Sequence, residues 1–392
     1  MAQVNWLDRA IGAVAPRVAV RRLLARRSFE ALTRGYDGAA RGRRTDGWRA
    51  PGTSADTEIA TAGALLRDRM RDLTRNNPHA AKAVSVLVNN IVGAGIMPRA
   101  GSGDDRLDRQ ADALWEAWAT ECDADGQLDF YGLQTLACRE MIEAGEVLVR
   151  RRPRRAGDGL NVPLQLQVIE ADLLDASRNG ELRDGGRIVQ GVEFDAIGRR
   201  RAYWLFAQHP GDSVFRLRRR LDSAAVPAAD VAHVYEKQRT QVRGVPWGAP
   251  VMRCLRDLDD WTQAELVRKK TEACVVGIVL GADEPEQGIA PMVVDVDGNR
   301  VEQFEPGLIA YARGGKDIKF NQPATTAGVS EWLRGQLHII AAGFRLPYEL
   351  LTGDLSQVNY SSIRAGLVEF RRLIDAAQWQ LFIPMLCQPA WD

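Results

Sequence analysis

Residues 346–365, Leu-Pro-Tyr-Glu-Leu-Leu-Thr-Gly-Asp-Leu-Ser-Gln-Val-Asn-Tyr-Ser-Ser-Ile-Arg-Ala, set a short polar run between two strongly helical segments. Within it Asp354, Ser356, Gln357 and Asn359 have chemistry to offer: a carboxylate, a hydroxyl and two amides, with no positive charge among them. Such groups hydrogen-bond phosphate weakly, and a surface that meets a polyanion without lysine or arginine releases few counterions and holds it loosely. The same residue types suit helix capping, where Asn359 or Ser361 would accept from free amides at the next helix start. Both uses can coexist. Capping is expected of Asn359 and Ser361, and exposure on a working surface of Asp354 and Gln357.

Other constellations carry less. Val92-Gly93-Ala94-Gly95 has the glycines of a phosphate-cradling turn, but the third glycine of the dinucleotide pattern falls on Pro98 and no Gly-Lys-Ser/Thr follows. Asp257, Asp259 and Asp260 lie one or two apart on a helical segment, so their carboxylates diverge and cannot readily close on one metal. His79, His209, His233 and His338 lack metal-ligand spacing; His338 alone lies near the polar run, where an inter-helix hydrogen bond is expected. Cys122, Cys138, Cys254, Cys274 and Cys387 are odd in number and scattered, which suggests reduced, buried thiols. There is no Gly-x-Ser-x-Gly elbow. No catalytic residue, cofactor or metal is expected, and the chain reads as a non-enzyme.

Composition sets the frame. The 392 residues, 45% hydrophobic and 26% charged, suffice for two or three globular domains. No run approaches the roughly 18 apolar residues of a membrane span and the first 20 residues lack a signal pattern, so a protein made in the cytoplasm is expected. The balance of 52 basic and 51 acidic residues argues against bulk coating of nucleic acid. Residues 1–50 depart from it: eleven arginines, no lysine and four acids give a net +7. That arm could contact DNA or an acidic neighbouring subunit, or be a solvated segment that orders on assembly. Arginine without lysine suits fixed, bidentate partners, which favours a protein interface.

The elements that must position the polar run follow from periodicity and punctuation. Ala64–Asn76 and Pro78–Ile91 are helix-compatible, with Asn77 as cap and Pro78 in a first turn; Gly93-Ala94-Gly95 ends them. Leu107–Thr120 and Leu133–Gly145 give two more helices, the first placing Trp115 and Trp118 on one face. From Glu146 to about Tyr235 the period becomes two, with strands at 147–149, 164–168, 192–194 and 203–206, the last pair flanking a hairpin loop at 195–199. Ala249–Cys274 should be a helix about 39 Å long. Leu255, Leu258 and Leu266 would form its apolar stripe, and Arg253/Asp257, Arg256/Asp260 and Glu265/Lys269 its four-apart pairs. Short strands and turns follow to Thr326, with turns at Asp297-Gly298 and Pro306-Gly307, and then a helix over Val329–Arg345 halted by Leu346-Pro347. After the polar run, Ile363, Leu367, Phe370, Ile374 and Leu381 mark one helix over Ser361–Cys387. The order predicts an α+β fold.

Several blocks together carry a family resemblance. With Arg69–Pro78, Val92–Ile96, Arg243-Gly244-Val245-Pro246 and Ala341-Ala342-Gly343-Phe344 upstream, the 346–365 string resembles the portal proteins of lambdoid tailed phages. The resemblance covers nearly the whole chain. It implies a portal fold: a basic N-terminal arm (1–60), a helix-and-strand wing (61–248), a stem helix (249–276), a small α/β clip (277–327), a second stem helix (328–345), a tunnel loop (346–360) and a long wing helix (361–392), with the crown short or absent. It also implies a homo-oligomeric ring, dodecameric in a virion, that nucleates head assembly at a capsid vertex and passes double-stranded DNA. Partners would be the large terminase subunit, the major capsid protein and head-completion or tail connector proteins; a gene transfer agent particle would use the same component. On this reading Asp354, Ser356, Gln357 and Asn359 are candidates for the surface facing DNA, and a bulky residue at Gln357 should stall packaging while rings still form. A non-conducting adaptor ring and a metal-dependent nuclease of the packaging apparatus are the alternatives.

Overall fold

In a computed structural model the described residues run through 52–212, 222–273, 328–356 and 359–392, with 15–18, 46, 50 and five short strands between 277 and 320. The chain divides into two units, Met1–Thr53 and Ser54–Asp392. In the first, residues 16–18 form a helical turn; all the elements below belong to the second. Gln357, Cys274 and the turns expected at 297–298 and 306–307 lie outside the described residues.

Helix α1 (Ala55–Asn76) starts nine residues before the expected Ala64, because Ser54 Oγ accepts from Thr57 N at 3.2 Å and Asp56 and Glu58 favour the positive end of the helix. Asn77 does cap α2 (Pro78–Ile91), its Oδ1 accepting from His79 N at 3.0 Å and Ala80 N at 3.2 Å. Helices α3 (Asp105–Ala119) and α4 (Phe130–Glu143) begin at the aspartate caps Asp104 and Asp129, slightly upstream of the apolar periodicity. Trp115 and Trp118 share a buried face, ring centroids 4.9 Å apart.

Strand β1 (Glu146–Pro153) is the centre of an antiparallel sheet between β2 (Leu164–Glu170) and β8 (Val231–Tyr235). Val147 and Val149 face the helical core, while Leu148, on the opposite face, joins a second core with Ile169, Val192, Phe194 and Leu205. Alternation along one strand therefore serves two cores. The second core backs onto a five-stranded antiparallel meander, β3 (Gly180–Glu181), β4 (Arg187–Val189), β5 (Val192–Phe194), β6 (Arg200–Phe206) and β7 (Ser223–Pro227). The β5–β6 hairpin turns at 195–199 as its sequence indicates.

Helix α5 (Met252–Ala273) follows a 3₁₀ turn at Ala249–Val251. Leu255 and Leu258 are buried, but Leu266 is 53% exposed, so the expected stripe stops halfway. From 262 to 270 no side chain is buried. Apolar spacing on a helix marks a face that needs covering, and nothing among the described residues buries Leu266. Arg256 pairs with Asp260 at 3.3 Å, whereas Glu265 takes Arg268, three residues on, at 2.8 Å. Beyond it, β9 (Gly277–Leu280) lies between β12 (Ile309–Ala310), parallel, and β13 (Asp317–Phe320), antiparallel; β10 (Val293–Val294) and β11 (Arg300–Val301) form a separate pair.

Helix α6 (Val329–Gly343) is followed by a short helix α7 (Tyr348–Thr352), so the run from 346 to 360 is not wholly loop. Helix α8 (Tyr360–Ala377) passes into a π-helical stretch, Gln378–Cys387, and then α9 (Gln388–Trp391), which corrects the single helix expected over 361–387. Pro384 supplies the reason: it has no amide for an i→i−4 bond and its ring crowds the carbonyl four residues back, and the wider turn relieves both. Gln388 N accordingly reaches Ile383 O. Phe370, Ile374, Leu381, Phe382 and Leu386 are buried along this face, while Ile363 and Leu367 are half-buried. The mixture of helices and antiparallel sheets is α+β.

Candidate functional site

The polar run is held by its base. At the end of α6, Leu346 N donates to Ala341 O at 2.8 Å and Arg345 N to Ala342 O at 3.0 Å, a Schellman closure with Arg345 in the left-handed position at φ 60°. Glycine is the usual occupant there, and a side chain costs about 1 kcal/mol. The Arg345 side chain offsets that cost. Its guanidinium donates to Glu236 Oε1 at 2.8 Å and Oε2 at 3.0 Å and lies 5.1 Å from the Trp247 ring centroid. Glu236 directly follows β8, so the start of the loop is fixed to the strand region. Beside it, Phe344 is fully buried, and a Cβ on Gly343 would stand 2.0 Å from Val251 Cγ1. The Ala-Ala-Gly-Phe block is therefore a close crossing of α6 over the start of α5.

The next turns are tied back as well. Leu351 is buried, and Gly353, left-handed at φ 75°, ends α7 by donating to Glu349 O at 2.8 Å. Asp354 is half-exposed. Its carboxylate accepts from Ser356 N at 3.0 Å and Tyr348 Oη at 3.3 Å and stands 3.6 Å from Arg334 of α6. These bonds, those from Ser356 foremost, hold the carboxyl below its ordinary range, so it stays charged. His338 stacks on Tyr348, ring centroids 4.1 Å apart, instead of making the inter-helix hydrogen bond expected of it. Leu355 is 59% exposed, and Ser356 and Asn359 are exposed. Asn359 immediately precedes α8, its carbonyl accepting from Ile363 N at 3.1 Å. Ser361 is the second residue of α8, two positions past the one that would cap it.

The strand region to which the loop is tied has a buried ionic centre that sequence reasoning missed. Glu146 at the start of β1 is 1% exposed and accepts from Arg243 Nε at 2.7 Å, His233 Nε2 at 2.9 Å and Gly244 N at 2.9 Å. Arg243 also donates to Gln190 O and Ala171 O. Arg200 donates to His233 Nδ1 at 2.8 Å, which makes that nitrogen the acceptor and leaves Nε2 to donate to Glu146. The imidazole is thus neutral. Burial pushes it down to about 4, with Arg200 and Arg243 adding to the effect and Glu146 opposing it. Burial alone would raise the Glu146 carboxyl, but Arg243 and His233 outweigh it and hold it far below its ordinary value. The Arg243-Gly244-Val245-Pro246 block is the visible trace of this centre; Glu146 and His233 are too distant in sequence to be linked to it.

One further cluster is spatial only. Ligand atoms of Glu170, Asp172 and His209 lie within 4.8 Å of one another. Arg71 already contacts Asp172 at 2.8 Å and Glu170 at 3.2 Å, and Arg67 contacts Asp172 at 3.1 Å. Two guanidinium groups neutralise the carboxylates, so the arrangement works as an ion-pair network joining α1 to β2 and is a poor cation site. The glycine turn at 93–95 also has a packing role: a Cβ on Gly95 would meet Tyr131 Cδ1 at 2.4 Å, and Ile96 N and O bond Gln134 at 2.8 and 2.9 Å. Cys122 and Cys138 are buried, with burial pushing Cys122 up to about 12; Cys254 and Cys387 are half-buried.

Residues 41–378 match the family described as phage portal protein, lambda family. The chain is 29% identical over 369 residues to the probable portal protein of Halomonas phage phiHAP-1, covering 88% of this chain and 69% of that protein. It is 25% identical over 378 residues to the portal protein of Escherichia phage N15, covering 82% and 67%. Among solved structures it is similar to a chain of the neck of a native gene transfer agent particle, at 15% identity, 82% coverage of both chains and a TM-score of 0.47. The chain belongs to the lambda family of phage portal proteins.

Proposed function

We propose that copies of this chain assemble as a ring, dodecameric in the particle, with α5 and α6 as its stem and residues 353–359 as the loop that faces DNA in the channel. The observation that carries the reading is the set of large apolar side chains left exposed on the helices that would form the subunit contacts. Leu266 on α5, Trp332 and Ile339 on α6 and Val368 on α8 are between 41% and 53% exposed, and Trp379 is 71% exposed. Heterologous contacts around a ring would take these side chains out of water. Trp261 and Trp332, ring centroids 4.2 Å apart, join the two stem helices and keep the loop in fixed relation to both.

The ring nucleates head assembly in the host cytoplasm and sits at the capsid vertex of the virion or gene transfer agent particle. Its strand region between the stem helices docks the large terminase subunit during packaging and head-completion or tail connector proteins afterwards. The helix-and-strand body meets the major capsid protein. The ring performs no covalent chemistry; the terminase ATPase supplies the work, and the loop guides DNA. Residues 353–356 and 359 carry one carboxylate and no cation, so contact with the phosphate backbone is weak and the cargo is free to slide.

A Ser356→Trp substitution tests the loop assignment, because Ser356 is exposed and its replacement gives up a surface bond to Asp354 rather than a buried contact. Rings should form at wild-type yield while the DNA content of heads falls severalfold. Unchanged DNA content would refute a channel-facing loop.

A further inference from the structure

Helix α3 presents an apolar stripe that nothing in the described chain covers: Leu107 is 48% exposed and Leu114 56%, with Ala111 half-buried between them. The stripe runs into a cavity of about 320 Å³ walled by Leu114, Trp115, Trp118, Val162, Leu164 and Trp391. Trp391 closes on Trp115 with ring centroids 5.1 Å apart. Asp108 and Asp112, in line with the cap Asp104, follow one edge of the stripe at helical spacing. Between 104 and 121 there are six acids and two arginines, a net −4. Bonds from Ser102 keep Asp108 ionised, and each of these carboxylates retains acceptor capacity beyond its local bonds.

The chain itself contains a segment of complementary chemistry. Residues 16–35 hold six arginines and one acid, Glu30, interleaved with Val18, Val20, Leu23 and Leu24. Apolar side chains would fill the stripe and cavity while guanidinium groups take the carboxylate edge bidentately, a pairing lysine makes less well. We propose that the acidic, apolar face of α3 is the docking site for the arginine-rich N-terminal segment of a second copy of this chain, so that each subunit's arm clasps its neighbour. This rests on the ring reading above, which sets copies side by side. Charge complementarity, a net +5 over 16–35 against −4 over 104–121, favours this occupant over a nucleic acid, which the acidic edge would repel.

The test places a photo-cross-linking benzoylphenylalanine at Leu114, and in a second protein at Leu107, in full-length chains mixed as heavy- and light-isotope copies. Rings are counted by electron microscopy and cross-linked peptides are mapped by mass spectrometry. Expected are heavy–light hybrids joining position 114 or 107 to residues 16–35. Replacing Arg21, Arg22, Arg26 and Arg27 by alanine should lower their yield about tenfold, and 0.5 M salt should lower it as well. Rings in which both probes react elsewhere, only within their own chain, or not at all refute the contact while leaving the ring intact. Chains that remain monomeric refute the ring and the contact together.

Discussion

Acidification from pH 7 to pH 5 should loosen the junction of β1 and β8 through one residue, His233. In the fold its Nδ1 accepts from Arg200 and its Nε2 donates to Glu146, so a second proton has no place without breaking the Arg200 bond. The folded value of about 4 lies below the unfolded value near 6.5. Below pH 6.5 the unfolded chain therefore binds a proton that the fold refuses, and stability falls with pH until about 4. Integrating between these values gives a loss of about 2 kcal/mol from pH 7 to pH 5, equivalent to roughly thirtyfold in local opening. His79, also lowered by burial, contributes with the same sign. Hydrogen exchange of the amides in 146–149 and 231–235, corrected for the intrinsic rate, reads this opening. His233→Gln provides the control, since its amide can accept from Arg200 and donate to Glu146 without titrating, and it should remove most of the pH dependence. Equal protection at pH 7 and pH 5, or an unchanged slope in the glutamine variant, would refute the neutral-imidazole account.

Glu146→Gln strands the Arg243 guanidinium in a buried site and should cost about 3–5 kcal/mol, read as a large drop in thermal midpoint or loss of soluble protein. Gly343→Ala drives a methyl group into Val251 and should cost about 1–3 kcal/mol. Combined with Val251→Ala it should lose less than the sum of the single changes, and strict additivity in denaturant melts would contradict the close crossing. Asp354→Asn removes the charge facing Arg334, and amide exchange at 353–356 should quicken while exchange in α2 and α4 stays as it was.

Much of this architecture is legible locally. Asn77 and Pro78 announce a helix start because both act within one turn, and the 195–199 hairpin follows from alternation and a turn glycine; α6, by contrast, ends at Gly343, before the expected stop at Leu346-Pro347. Other features depend on partners far along the chain. Arg345 gives no sign in sequence that it will adopt a left-handed conformation, because its justification is Glu236, more than a hundred residues away. His338 stacks on Tyr348 across the turn at 345–347, and periodicity does not report ring orientation. Leu266 fits the stripe of α5 yet stays exposed, since spacing identifies an apolar face but not whether this chain or a second one covers it. The π-helical stretch was foreshadowed only by Pro384, whose usual meaning is a helix end.

If copies of this chain form a ring, the loop after α6 should line its channel. Cryo-electron microscopy of the purified full-length protein tests it most directly. Expected are closed rings with α5 and α6 lining the hole, residues 353–359 projecting into it, and Leu266, Trp332 and Ile339 buried between neighbours. Monomers, or rings with that loop on the outer surface and those side chains still exposed, would contradict it.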